Sequence, residues 1–113
     1  MNELHGVEFF SVISNGTLTL VGHFTHNQLQ RNLLYSETAV KNDNKNEIVG
    51  TYDSTWSDED GHPHEGTLTI SKMGVYDTIY NLVWVEHNPN RNHFRGIGIE
   101  KLSDIAVTYW IGE

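Results

Sequence analysis

Apolar and polar residues alternate at period two over most of the chain, and apolar residues at helical spacing are scarce. In residues 5–13, for example, Val7, Phe9 and Ile13 alternate with Glu8. A period of two is typical of β-strands, whose successive side chains point to opposite faces of a sheet. The alternation predicts about eight strands, over residues 5–13, 17–25, 33–40, 48–57, 67–71, 80–85, 94–99 and 105–111.

Short turn sequences separate the predicted strands. Asn15-Gly16 accepts the positive φ of a tight hairpin, and polar loops are expected at 41–46, 58–66 and 88–90. Consecutive strands joined by short turns favour an antiparallel up-and-down order. We therefore predict an all-β fold, a single antiparallel up-and-down β-barrel or strongly curled sheet of about eight strands, since closure removes exposed edges.

The segment 27–35 leaves two alternatives open. The third strand begins at Leu33, or a short helical turn places Leu29, Leu33 and Leu34 on one face.

Composition limits the class of protein and its partners. The 113 residues predict one domain over 1–113. Fifteen acidic against seven basic residues give a formal charge of −8, so nucleic acid is not an expected partner. Cysteine is absent, and neither a leader peptide nor a membrane-length apolar run is visible, so a cytoplasmic location without membrane association is expected. The chain is an acidic protein in which a homo-oligomer is possible.

Several segments of the second half resemble the calycin-type barrels, which include lipocalins and avidins. Gly50-Thr51-Tyr52 with Trp56 is similar to their Gly-x-Trp strand, with Tyr52 in place of tryptophan and the motif in mid-chain. The later segments 66–70, 80–84, 96–98 and 107–110 are similar as well. The resemblance implies a barrel with one open end, which in this superfamily usually holds a small apolar ligand.

Inward aromatic residues and one acid are the predicted ligand contacts. Tyr52, Trp56, Tyr80 and Trp84 would line the open barrel. Glu37 would orient the polar end of a ligand if it shares the inner face with its neighbours at 35 and 39. If the register is opposite, Glu37 is a solvated surface residue. An inward glutamate would have a raised pKa.

His62 and His64 are the strongest metal-ligand candidates in the chain. Imidazoles two residues apart on a strand point to the same side and can share a metal. Pro63 and Gly61 instead favour a solvated loop, so no metal and no cofactor is predicted. Nucleophilic catalysis lacks a cysteine or a Gly-x-Ser-x-Gly motif, and no catalytic residue is assigned.

These observations favour a noncatalytic module that binds a small, partly apolar ligand. The alternative is a protein–protein interaction or self-associating module with a filled barrel, for which Trp110 on the outer face of the last strand is a candidate contact. A third hypothesis is an enzyme or metal-binding barrel that uses turn histidines.

Overall fold

A computed structural model describes residues 4–28, 34–57, 60–87 and 93–112. Within them the chain forms a closed antiparallel barrel in which neighbours in sequence are neighbours in space and β1 pairs with β8. This confirms the predicted fold class. The strands are β1 (His5–Asn15), β2 (Thr17–His26), β3 (Tyr35–Lys41), β4 (Gly50–Ser57), β5 (Pro63–Lys72), β6 (Ile79–Glu86), β7 (His93–Lys101) and β8 (Asp104–Ile111).

The core is the barrel interior, and it is formed by alternate residues of every strand. Period-two patterning puts one face of each strand inside and the other outside. The innermost side chains are almost wholly buried: Phe10, Leu20, Ala39, Tyr52, Leu68, Ile70, Leu82 and Ile105. Residues 29–33, on which most of the possible helical turn falls, lie outside the described residues.

The structure differs from the hydrophobic pattern of the sequence in which residues of β1 point inward. Val7 and Phe9 are 59% and 51% exposed on the outer face, whereas Glu8 and Phe10 are buried. The apolar residues of the alternation, Val7 and Phe9, therefore lie outside the core. The reason is that Phe10 fills the core from the opposite face, and Glu8 is buried with it because inward positions alternate strictly.

The structure also corrects the predicted starting point of β5. A loop was expected over 58–66, but the strand begins at Pro63 and carries His64 to the inside. Proline is tolerated as the first residue of a strand, because its missing N–H interrupts no ladder there.

One end of the barrel is closed by the connection between β3 and β4. The buried ammonium of Lys41 donates hydrogen bonds to the carbonyl oxygens of Lys45 and Glu47. Tyr52 donates a 2.7 Å hydrogen bond to the carbonyl oxygen of Ile48, which is itself buried. These bonds hold the connection over this end of the barrel.

Candidate functional site

The opposite end of the barrel contains a cavity of about 350 Å³, which we call the cup. It lies where β2, β4, β6 and β8 end and β1, β3, β5 and β7 begin. A volume of this size is near the lower limit of the roughly 300–1,000 Å³ typical of small-molecule sites. The large side chains of its lining are aromatic: Phe24, Tyr35, Trp56, Trp84, Phe94 and Tyr109.

The aromatic rings of the cup contact one another around its wall. Phe24 and Phe94 each lie edge-on to Tyr109, with ring centroids 6.4 Å apart. Trp84 is tilted against Tyr109 at 6.0 Å, and Trp56 lies edge-on to Phe94 at 6.5 Å. Tilted and edge-on pairs are the favoured aromatic geometries, so these contacts hold the wall in shape.

Glycine makes room for the largest of these rings. Tyr109 lies over Gly6 of the neighbouring strand, where an added Cβ would be 2.2 Å from the ring. The ring thereby crosses β1, and its hydroxyl donates a 3.1 Å hydrogen bond to the carbonyl oxygen of Thr25 on β2. Burial, with the charges of Glu8 and Glu37, raises the pKa of Tyr109, which keeps the phenol protonated as a donor.

Two buried carboxyls face each other within the cup. Glu37 is 3% exposed and accepts hydrogen bonds from Ser54 Oγ and, at 2.8 Å, from Trp84 Nε1. Glu8 is 5% exposed and close enough to Glu37 for a hydrogen bond between the carboxyls. Burial raises the pKa of Glu8 well above its ordinary value, and the neighbouring charge of Glu37 raises it further. The pair therefore retains a proton that an exposed glutamate would lose.

A second acid pairs with histidine at the rim of the cup. His64 Nδ1 and Glu86 Oε2 lie 2.5 Å apart, and the Glu86 side chain is buried. The His64 ring stacks on Trp56, with centroids 5.9 Å apart and planes within 8°. The stack and the carboxylate together fix the orientation of the imidazole.

The predicted ligand contacts divide between the two ends of the barrel. Trp56, Trp84 and Glu37 line the cup, and Glu37 has the inward register. Tyr52 and Tyr80 also point inward, but they lie at the closed end, outside the described lining of the cup. The single hydroxyl proton of Tyr80 is within reach of two acceptors there, Asp77 O at 3.0 Å and Glu100 Oε1 at 2.8 Å. The role of all five as ligand contacts stays a prediction.

Of the two candidate metal ligands, only His64 lies within a strand. His64 points into the barrel and His62 is exposed in the preceding loop. In the described part of the chain, no three or more His, Cys, Asp or Glu side chains cluster as a metal site would require. His64 instead lines the cup and contacts the buried carboxylate of Glu86.

Several contributors to the cup were not among the predicted site residues, including the polar residues Glu8, Glu86 and Tyr109. The alternation from Gly6 through Phe10 contains the signal for Glu8, because Phe10 also needs a buried position. For Glu86 the signal is its even spacing from Tyr80, Leu82 and Trp84 on β6.

Comparisons of the chain with protein-family models, with curated proteins and with solved structures found no match. Among the residues described, none form a helix long and apolar enough to cross a membrane.

Proposed function

We propose that the protein is a noncatalytic module that binds a small, partly apolar molecule in the cup. The observation that carries this proposal is an aromatic-walled cavity of about 350 Å³ with a buried carboxyl pair in its lining. Apolar concave sites with a few placed polar groups are the usual form of small-molecule sites. The aromatic wall would hold the apolar part of the ligand, and Glu37 its polar end.

Membership of the calycin superfamily is a further part of this proposal. The closed eight-stranded up-and-down barrel is compatible with it. An open end that holds a ligand is what the resemblance would imply. The expected cytoplasmic location stays a prediction.

Tryptophan substitutions provide a direct test, because Trp56 lines the cup and Trp110 lies on the outer face of β8. Calorimetric titration would use three probes with one carbon skeleton: phenylpropylamine, phenylpropanol and phenylpropanoate. We expect at least one to bind, and Trp56→Ala to weaken that binding about tenfold or more, as truncation of a central aromatic contact usually does. Trp110→Ala is the matched control and should leave it unchanged.

Native mass spectrometry of gently purified protein complements the titration. An extra mass that disappears on denaturation and is lost in Trp56→Ala supports the proposal. The proposal is overturned if no mass is carried and every probe binds more weakly than about 1 mM.

A second candidate function is self-association with another copy through the outer face of β7, β8 and β1. Val7 pairs across the ladder with Thr108, which pairs with Ile97; Phe9, Ala106 and Ile99 form the next row. The large members of both rows are exposed, and neither row contains a charged residue. An uncharged face is where two copies of a chain with a formal charge of −8 could approach most closely.

Sedimentation equilibrium tests this second candidate. Wild-type protein should dimerise with rising concentration, and Phe9→Lys should remain monomeric. Val40→Lys, at an exposed position on the outer face of β3, is the control and should dimerise like wild type. A wild-type chain that is monomeric at all concentrations would remove this candidate.

A further inference from the structure

The cup is acidic. Its described lining includes the carboxyls of Glu8, Glu37 and Glu86 and contains neither lysine nor arginine. The buried lysine of the barrel, Lys41, belongs to the closed end and is held there by loop carbonyl oxygens. In a site with few water molecules, such a charge distribution attracts cations and opposes carboxylate or phosphate ligands.

Two polar atoms in the lining are buried without a hydrogen-bond partner among the described residues. They are Glu8 Oε2 and Tyr35 Oη. Buried polar atoms in folded proteins are nearly always hydrogen-bonded, because leaving one unsatisfied is costly. Both oxygens can accept hydrogen bonds, and both residues line the cup. Hydrogen-bond donors of a ligand in the cup would satisfy such oxygens.

A positive charge is favourable between the two carboxyls, Glu8 and Glu37. Glu8 and Glu37 are close enough to repel each other when both are ionised, and in the empty cup a proton relieves that repulsion. A ligand cation between the two carboxylates could replace the proton. The cation would then form charge-assisted hydrogen bonds in a buried setting, which are among the strong ones.

The aromatic wall around the carboxyl pair suits the apolar part of such a ligand. Trp84 contacts both the carboxyl pair and the aromatic wall, because its indole N–H donates a hydrogen bond to Glu37 and its ring contacts Tyr109. Aromatic faces attract cations as well as apolar groups. An ammonium group on an aromatic or alkyl body would therefore match both the polar and the apolar parts of the cup.

We propose that the ligand is a primary amine in its protonated form, with the ammonium against Glu8, Glu37 and Tyr35 and its apolar body among the aromatic rings. This inference rests on the proposed function and names its ligand class. An ammonium has three N–H donors, one for each of these three side chains.

Proton release is a distinctive consequence of this arrangement. Binding of the cation displaces the proton of Glu8, so amine affinity should rise with pH until Glu8 is ionised in the free protein or the amine itself loses its proton. The titratable groups that line the cup around Glu8 come from five other strands or their ends: His26, Tyr35, Glu37, His64, Glu86 and Tyr109.

Calorimetry with the three phenylpropyl probes tests the ligand class. At neutral pH the amine should bind the wild-type chain about tenfold or more tightly than the alcohol, and the carboxylate should bind most weakly. Titrations in two buffers of different ionisation enthalpy should show proton release with the amine and none with the alcohol.

Isosteric variants test the assigned residues. Glu37→Gln should weaken amine binding about thirtyfold, because a buried charge partner is lost, and should leave alcohol binding nearly unchanged. Glu8→Gln should abolish the proton release. Glu65→Gln removes an equal charge from the outer face of β5 and is the matched control, with binding like wild type. Circular dichroism establishes that each variant is folded.

The outcomes separate this inference from the proposed function. If the alcohol or the carboxylate binds as tightly as the amine, the cup binds ligands but the amine assignment is wrong. The same holds if folded Glu37→Gln and Glu8→Gln bind the amine like wild type. If none of the probes binds and no mass is carried, the proposed function fails and this inference fails with it.

Discussion

Glu8 of β1 and Glu37 of β3 meet inside the barrel although β2 lies between their strands. The residue of β2 at this level is Gly22, which pairs directly with Glu37 on one side and with Phe10 on the other. A Cβ at Gly22 would be 2.6 Å from Glu8 Oε2 and 2.6 Å from the Phe10 ring. The absence of a side chain at Gly22 is thus what allows the two carboxyls to approach.

Gly22→Ala should separate the two carboxyls. The added methyl group requires both Glu8 and Phe10 to move, and overpacking of this kind typically costs about 1–3 kcal/mol of unfolding free energy. Chemical denaturation should show this loss, with Ser36→Ala on the exposed face of β3 as a control that stays near wild type. If Gly22→Ala is as stable as wild type, the barrel interior can accommodate the added methyl group, and the close packing described at Gly22 is contradicted.

Glu8 should make the protein less stable as the pH rises. Because its folded-state pKa is raised, the folded protein holds more protons than the unfolded chain at pH values above the ordinary pKa of 4.5. The unfolding free energy should therefore fall as pH increases from about 4.5 to the folded-state pKa of Glu8, and no further through this group.

Glu8→Gln should remove this dependence. We expect the unfolding free energy of the variant to be higher than that of wild type at neutral pH, because glutamine has no proton to lose and wild type is destabilised as pH rises. Urea denaturation at a series of pH values measures the effect, and Glu65→Gln is the control for loss of one negative charge. Parallel pH profiles for wild type and Glu8→Gln would contradict a buried, protonated Glu8.

His64 and His62 should differ sharply when each is replaced by phenylalanine. His64→Phe preserves a ring to stack on Trp56 but removes the nitrogen that contacts the buried carboxylate of Glu86, so it should lower stability by about 1–3 kcal/mol. His62→Phe changes an exposed loop residue and should cost less than about 0.5 kcal/mol. Thermal melts of the two variants check this, and equal losses would argue against a structural His64–Glu86 pair.

The strand pattern was sufficient to predict the barrel, because inward and outward residues alternate in nearly every strand. It failed on β1, where both faces carry large apolar residues: Phe9 outside and Phe10 inside. A hydrophobic pattern cannot choose between two apolar faces, and it cannot anticipate that a carboxyl such as Glu8 is buried beside another.

The position of the cup was only partly predictable. Trp56 and Tyr52 are four residues apart on one face of β4, and the sequence treats them alike. What separates them is the connection after Lys41, which covers the end that contains Tyr52 and leaves Trp56 at the open end. That closure depends on contacts between residues brought together only by folding, as does the meeting of Glu8 with Glu37.

The hydrogen bond from Trp84 to Glu37 should be measurable by a double-mutant cycle. Trp84→Phe keeps an aromatic ring but removes the N–H donor, and Glu37→Gln keeps the shape but removes the charge. Hydrogen bonds to charged groups contribute about 1.5–3 kcal/mol, so the two substitutions should couple by an amount in that range.

The control cycle for this coupling pairs Trp56→Phe with Glu37→Gln. Trp56 lies directly opposite Glu37 on the β3–β4 ladder and lines the same cup. Its ring stacks on His64, and no hydrogen bond from it to Glu37 is found among the described residues. Its coupling to Glu37 should therefore reflect packing alone and be weaker than that of Trp84. Unfolding free energies of the single and double variants in urea give both values. Equal coupling in the two cycles would mean that Glu37 senses the general packing of the cup. A difference of about 1 kcal/mol or more would show that the indole N–H of Trp84 interacts specifically with the Glu37 carboxylate.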